Sequence, residues 1–152
     1  MATPITISAS SAPSAPINPT NPSFTAHLIE TQHKIAAIHL GHVEDFLKNH
    51  EGWGDIRIAE TERLYRKFLQ VLAAMDPAVT PVAPTEDLRS FWFAHCNRDR
   101  GGYYNMCLRI VGRYVRPRRF FPFGARAGKE ATRLAWLALF GEEPPKDHLA
   151  LI

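Results

Sequence analysis

The stretch Asp55–Met75, DIRIAETERLYRKFLQVLAAM, decides the fold class. Ile58, Leu64, Tyr65, Phe68, Leu69, Leu72 and Met75 gather on one side when successive residues are turned by about 100°. Glu60, Glu62, Arg63, Arg66, Lys67 and Gln70 take the opposite side. That division predicts an amphipathic helix laid on a core. Asp55 is placed to cap its start. Asp76-Pro77 stops it, because the residue before a proline is driven out of the helical region.

Working outward, residues 24–49 read as one helix with Leu28, Ile29, Ile35, Ala36, Leu40, Val43, Phe46 and Leu47 in a broad apolar arc. Ser23 is its expected cap, and Asn49, His50 and Gly52 mark its end. On the other side, Pro77–Pro84 is a proline-punctuated loop. Thr85 opens a third helix with Glu86 and Asp87 in its first turn, where acidic groups suit the helix dipole. Leu88, Phe91, Trp92 and His95 share one face of it. Gly101-Gly102 is expected to break the pattern before a fourth helix, Tyr103–Tyr114, with Tyr104, Cys107, Val111 and Tyr114 inward. The loop Arg116–Gly124, RPRRFFPFG, mixes arginines with aromatic rings. A last helix near Gly128–Phe140 turns Ala131, Leu134, Ala135, Ala138 and Leu139 inward, and Gly141 suits its C′ position. No alternating strand and no internal repeat stands out. The expectation is an all-α domain, residues 24–145, of about five helices around a single core.

Both ends differ in character. Residues 1–23 are rich in Ser, Ala, Thr and Pro and carry no charged side chain. Such a segment buries too little apolar surface to offset its ordering entropy, so it reads as an arm that is disordered or ordered by a partner. Residues 146–152 form a short tail ending in the apolar run Leu149–Ile152.

With 152 residues, 45% hydrophobic and 22% charged, the chain has the composition of one globular domain. No run approaches the roughly 18 apolar residues a membrane span needs. Cys96 and Cys107 are the two cysteines, too few for a disulfide framework and not spaced as a zinc pair. With no leader signature at the N-terminus, they point to a cytoplasmic setting. No glycine-rich phosphate loop matches, and no cofactor is implied.

The net charge of +3 hides an asymmetry. Between Arg98 and Arg133 stand Arg98, Arg100, Arg109, Arg113, Arg116, Arg118, Arg119, Arg126, Lys129 and Arg133, against only Asp99 and Glu130, a net of +8. The rest of the chain carries −5. Arginine's planar fork pairs with carboxylate and phosphate better than lysine's point charge does. This points to a non-enzymatic binding or assembly subunit whose arginine-aromatic face, residues 109–133, docks an acidic protein partner. Arg113, Arg116, Arg118, Arg119 and Arg126 would supply charge, and Phe120, Phe121 and Tyr114 would anchor it. RNA or single-stranded DNA is the alternative occupant, since guanidinium groups and rings together suit phosphate contact and base stacking. No RNP, KH or helix-turn-helix signature accompanies the face.

Three residue groups offer other chemistry. His39, His42 and Asp45 would share one edge of the first helix and could ligate a metal, though without a second half of the motif a surface role is the expectation. His95, on the Leu88–Phe91–Trp92 face, is expected to be a core histidine bonded to a carbonyl; its other use is as the centre of a degenerate or working metal site with Asp99, Tyr104 or Cys107. Cys96 is adjacent to His95 but points about 100° away on a helix, so the two do not form a nucleophile pair.

Residues 60–144 resemble the glycine-rich-domain-containing-protein-like family. The matching motifs are Leu64-Tyr65-Arg66-Lys67-Phe68-Leu69, then Val82-Ala83-Pro84, then Phe91-Trp92-Phe93-Ala94-His95 with Asp99. Tyr104 and Cys107 stand at the next step, followed by Gly112-Arg113, Pro122-Phe123-Gly124 and the close Phe140-Gly141-Glu142 with Pro144. The chain departs where the family carries histidines: Phe93 replaces the first, and Arg116, Arg118 and Arg119 fall where a His-His pair belongs. The resemblance implies a helical fold and, with His95 alone surviving, a metal site given up. It implies no reaction.

Overall fold

The computed structural model describes residues 22–117 and 125–147; residues 1–21 of the proposed arm, residues 118–124 of the RPRRFFPFG loop and residues 148–152 of the C-terminal tail lie outside them. Among the described residues the regular secondary structure is all helical, with no strand. They form α1 (Pro22–Ala36), α2 (Gly41–Asn49), α3 (Asp55–Ala74), α4 (Glu86–Arg98), α5 (Arg100–Met106) running on into a π-helical turn (Cys107–Val111), and α6 (Ala125–Phe140).

α3 is the central helix, packing against α1, α2, α4, α6 and the π-turn. Its second half is buried on every side: Tyr65, Phe68, Leu69, Val71 and Leu72 have no exposed surface. One apolar stripe would serve a helix at the rim. Val71 adds a second contact surface, and that lets one helix hold neighbours on several sides. Gly54, not Asp55, occupies the N-cap, and no side chain caps this end.

The expected single helix over residues 24–49 is two helices. Ile35 and Leu40 are both buried, and the chain turns between Ala36 and Gly41 to deliver both to the core. The turn opens carbonyls at the end of α1. Arg66 of α3 covers them, donating to the Ile35 carbonyl at 2.6 Å and the Ile38 carbonyl at 3.1 Å, while Glu62 holds the same guanidinium at 3.0 Å. Arg66 thus leaves the solvent face that the periodicity assigned to it. Ser23 lies in the first turn of α1.

The break between α4 and α5 falls at Asp99 and not at Gly101-Gly102, both of which lie inside α5. Asp99 donates its backbone N–H to the His95 carbonyl at 3.2 Å and accepts from Gly102 N–H at 3.2 Å. A Cβ at position 102 would meet that carboxylate, which would have to shift to make room. Thr85 caps α4 as expected, accepting from Leu88 N–H at 3.1 Å. Gly141, at φ 69°, closes α6 in the left-handed region.

Helix α6 begins three residues before the sequence reading placed it, and its buried face is Gly128, Thr132, Ala135 and Trp136. Leu134, expected inward, is half exposed. Gly128 presses against the Thr80 carbonyl so closely that no Cβ fits. Thr132 pins the same contact, accepting from Val82 N–H at 3.1 Å and donating to the Gly128 carbonyl at 2.7 Å. No helix among the described residues is long and apolar enough to cross a membrane.

Candidate functional site

The π-turn shapes the region on which the sequence reading concentrated. Tyr103, Met106, Cys107, Ile110 and Val111 are buried along α5 and the π-turn, at the i, i+3, i+4, i+7, i+8 spacing of a core-facing helical stripe. Gly112, at φ 92°, then ends the helix and sends the chain back across α5.

Beneath this turn lies a buried polar cluster. Trp92 Nε1–H donates to the Tyr103 hydroxyl at 2.8 Å, and that hydroxyl donates to the Val115 carbonyl. The Cys107 thiol faces the same carbonyl at 3.9 Å. His95, 1% exposed, bonds through Nδ1 to the Tyr65 hydroxyl at 2.7 Å, not to a carbonyl as expected. Its ring sits edge-on between Tyr65 and Tyr103, with centroids 5.6 and 5.0 Å away. Burial pushes the imidazole pKa down to about 4; the Asp99 charge opposes this and Arg66 adds to it. Burial likewise raises the Cys107 thiol, the opposite of what a nucleophile needs. The cluster ties α3, α4 and α5 together, sealed from solvent.

The metal alternatives do not assemble. Among the described residues no group of three or more His, Cys, Asp or Glu side chains gathers as a ligand set. His39 falls in the turn between α1 and α2, so it no longer shares a helix edge with His42, and both are exposed. Tyr104, named as a partner for His95, faces away from it; the tyrosine that shares the buried surroundings of Cys107 is Tyr103.

Above the cluster is a surface. The expected inward row of Tyr104, Cys107, Val111 and Tyr114 splits: Cys107 and Val111 are buried, while Tyr104 and Tyr114 are 48% and 45% exposed. Their rings meet at 5.3 Å between centroids, and Tyr114 also rests edge-on against Tyr103 at 6.1 Å. Leu108 adds a half-exposed aliphatic group. Arg100, Tyr104 and Leu108 follow at four-residue intervals, a spacing that aligns side chains on a helix. Partial desolvation raises the Tyr114 phenol above its ordinary pKa, the Cys96 thiol adds to this, and the Arg116 charge works against it.

The arginine block divides between several duties. Arg113 turns inward, its Nη1 3.5 Å from the Leu72 carbonyl and its pKa lowered by burial. It is half-buried. Arg133 is held by Glu130 at 2.8 Å and Glu143 at 2.9 Å. Arg98 lies 4.0 Å over the Phe46 ring. Arg100, Arg109 and Arg116 are exposed around the α5 surface; Arg126 is exposed in the first turn of α6. Helix α6 and the α5–π segment each pack on α3, and among the described residues they do not pack on one another. Arg118, Arg119, Phe120 and Phe121 lie outside the described residues. Sequence reasoning placed Tyr104 inward and did not single out Leu108; the signal for their shared exposed side was their four-residue spacing from Arg100.

Comparison of the chain with family models, with curated proteins and with solved structures finds no match.

Proposed function

We propose that this protein is a non-enzymatic binding subunit that docks an acidic protein partner on the face built by Tyr104, Leu108 and Tyr114 with Arg100, Arg109 and Arg116. The observation that carries the reading is the exposed tyrosine pair. Two rings meeting at 5.3 Å on a helix, next to a half-exposed leucine and arginines with no ion-pair partner among the described residues, have the composition of interface hot spots. Tyrosine gives large contact area for few rotatable bonds, and arginine selects carboxylate-bearing partners. What supports binding over catalysis is the placement of the imidazole of His95 and the thiol of Cys107 in the sealed core beneath. We carry the family resemblance within the same proposal. It rests on Tyr65, Phe68, Phe91, Trp92 and His95, which are packed core positions, the kind a shared fold would fix.

The test is photo-crosslinking in the source cells, with a benzophenone residue in place of Leu108 of the full-length chain and a control label at the exposed Leu137. The expected result is one protein adduct of defined mass from position 108, none from 137, lost on Tyr104→Ser/Tyr114→Ser and weakened by Arg116→Glu. An adduct that a nuclease digests would replace the protein partner by nucleic acid. Equal labelling at both positions would overturn the face.

A further inference from the structure

A cleft of about 450 Å³ lies between α6 and the segment that follows it. One wall is the stripe Arg126, Lys129, Glu130 and Arg133 along α6. The other is the strap Glu143–Asp147 with Pro144 and Pro145, and Val82 and Pro84 complete the lining. The volume is within the range of small-molecule sites. The walls are fixed before any ligand arrives. The strap is tied by Arg133 to Glu143 at 2.9 Å, and by Asp147, whose carboxylate accepts from Glu86 N–H at 3.1 and 3.2 Å. On the lining, Val82 is pinned to Thr132 and α6 is seated against Thr80.

The lining carries four cations, Arg126, Lys129, Arg133 and Lys146, against three carboxylates, Glu130, Glu143 and Asp147, a net of +1. Glu130 and Glu143 are both spent on Arg133, and Asp147 on the start of α4. Arg126, Lys129 and Lys146 are exposed in the lining, and none has an ion-pair partner among the described residues. Three cations without an ion-pair partner among the described residues therefore line a cleft of net positive charge, with an apolar side made by Val82 and three prolines. A carboxylate offers two oxygens, whereas a phosphate monoester offers three around one dianionic centre, enough for a guanidinium and two ammonium groups at once. We propose that the cleft binds a small organic phosphate monoester, its phosphate held by Arg126, Lys129 and Lys146 and its body against Val82, Pro84 and the strap prolines. This site is independent of the tyrosine face.

Amide chemical shifts of the full-length protein, followed while ribose 5-phosphate is added at constant ionic strength, test it. Saturable shifts confined to α6 and the 143–147 strap, with a Kd of roughly 1 mM or tighter, are expected. Arg126→Gln/Lys129→Gln should weaken binding by at least about tenfold while leaving the spectrum dispersed, because both side chains are exposed. Tyr104→Ser should leave the affinity unchanged, so failure here and failure of the docking face are read separately. Linear shifts that never saturate, equal affinity for citrate, or unchanged affinity in the double variant would each overturn the proposal.

Discussion

Lowering the pH should attack this fold at one residue, His95, and the size of the effect follows from its surroundings. Its imidazole is buried between Tyr65 and Tyr103 and titrates near 4 in place of the ordinary 6.5. The unfolded chain therefore takes up a proton that the folded chain refuses. A histidine with a depressed folded pKa contributes stability that is complete above 6.5 and drains away as the pH falls toward 4. Integrated from pH 7 to pH 4.5, that loss is about 2.5 kcal/mol, a large share of the 5–15 kcal/mol typical of a small domain.

The wild-type chain should hide this loss. Glu44 of α2 is pushed up to about 7, first by its hydrogen bond to Glu62, then by burial and by the Glu62 charge, with Arg66 opposing and Asp45 adding. A carboxyl with a raised folded pKa contributes stability that is complete below its unfolded value of 4.5 and lost as the pH rises through 7. Its window overlaps that of His95 with the opposite sign, although its partial exposure screens the effect. The informative comparison is between Glu44→Gln and Glu44→Gln/His95→Gln, in which glutamine leaves Tyr65 an acceptor. Urea melts at a series of pH values, with constant m as the control for two-state behaviour, should show Glu44→Gln losing about 2.5 kcal/mol more than the double variant over this interval. Parallel pH profiles for the two would refute the reasoning.

Two further outcomes follow from the packing. Arg66→Met should cost about 2–4 kcal/mol in urea melts, because it uncovers the Ile35 and Ile38 carbonyls and strands Glu62. A loss below about 0.5 kcal/mol would mean that water replaces the guanidinium. Gly128→Ala should lower Tm although alanine is the better helix former, since its Cβ meets the Thr80 backbone; a gain of stability would show that the loop gives way.

The helical class and the core-facing positions of α3 were legible because a 20-residue helix averages its periodicity over several turns. The breaks were legible only where local chemistry makes them. Thr85 and Gly141 cap by their own side chain or φ. The turn at residues 37–40 exists because Arg66, more than twenty-five residues away, covers the carbonyls it opens. No window along the chain contains that fact. Tyr114 is a similar case: Gly112, at φ 92°, ends the helix before it, so the helical phase that placed Tyr114 inward does not apply.

The arginine block shows the same limit for function. A run of like charge along a sequence counts side chains before the fold has used any of them. Here the fold turns Arg113 toward the end of α3, spends Arg133 on Glu130 and Glu143, and lays Arg98 on a ring. The acids are used in the same way, Glu62 on Arg66 and Asp147 on the start of α4. What a partner or ligand meets is the remainder after these assignments. That remainder comprises Arg100, Arg109 and Arg116 beside the tyrosine pair, and Arg126, Lys129 and Lys146 around the cleft. The two sets lie on segments that do not pack on one another among the described residues. Charge reversal within one set should therefore leave binding at the other intact, which a single basic face over residues 109–133 would not allow.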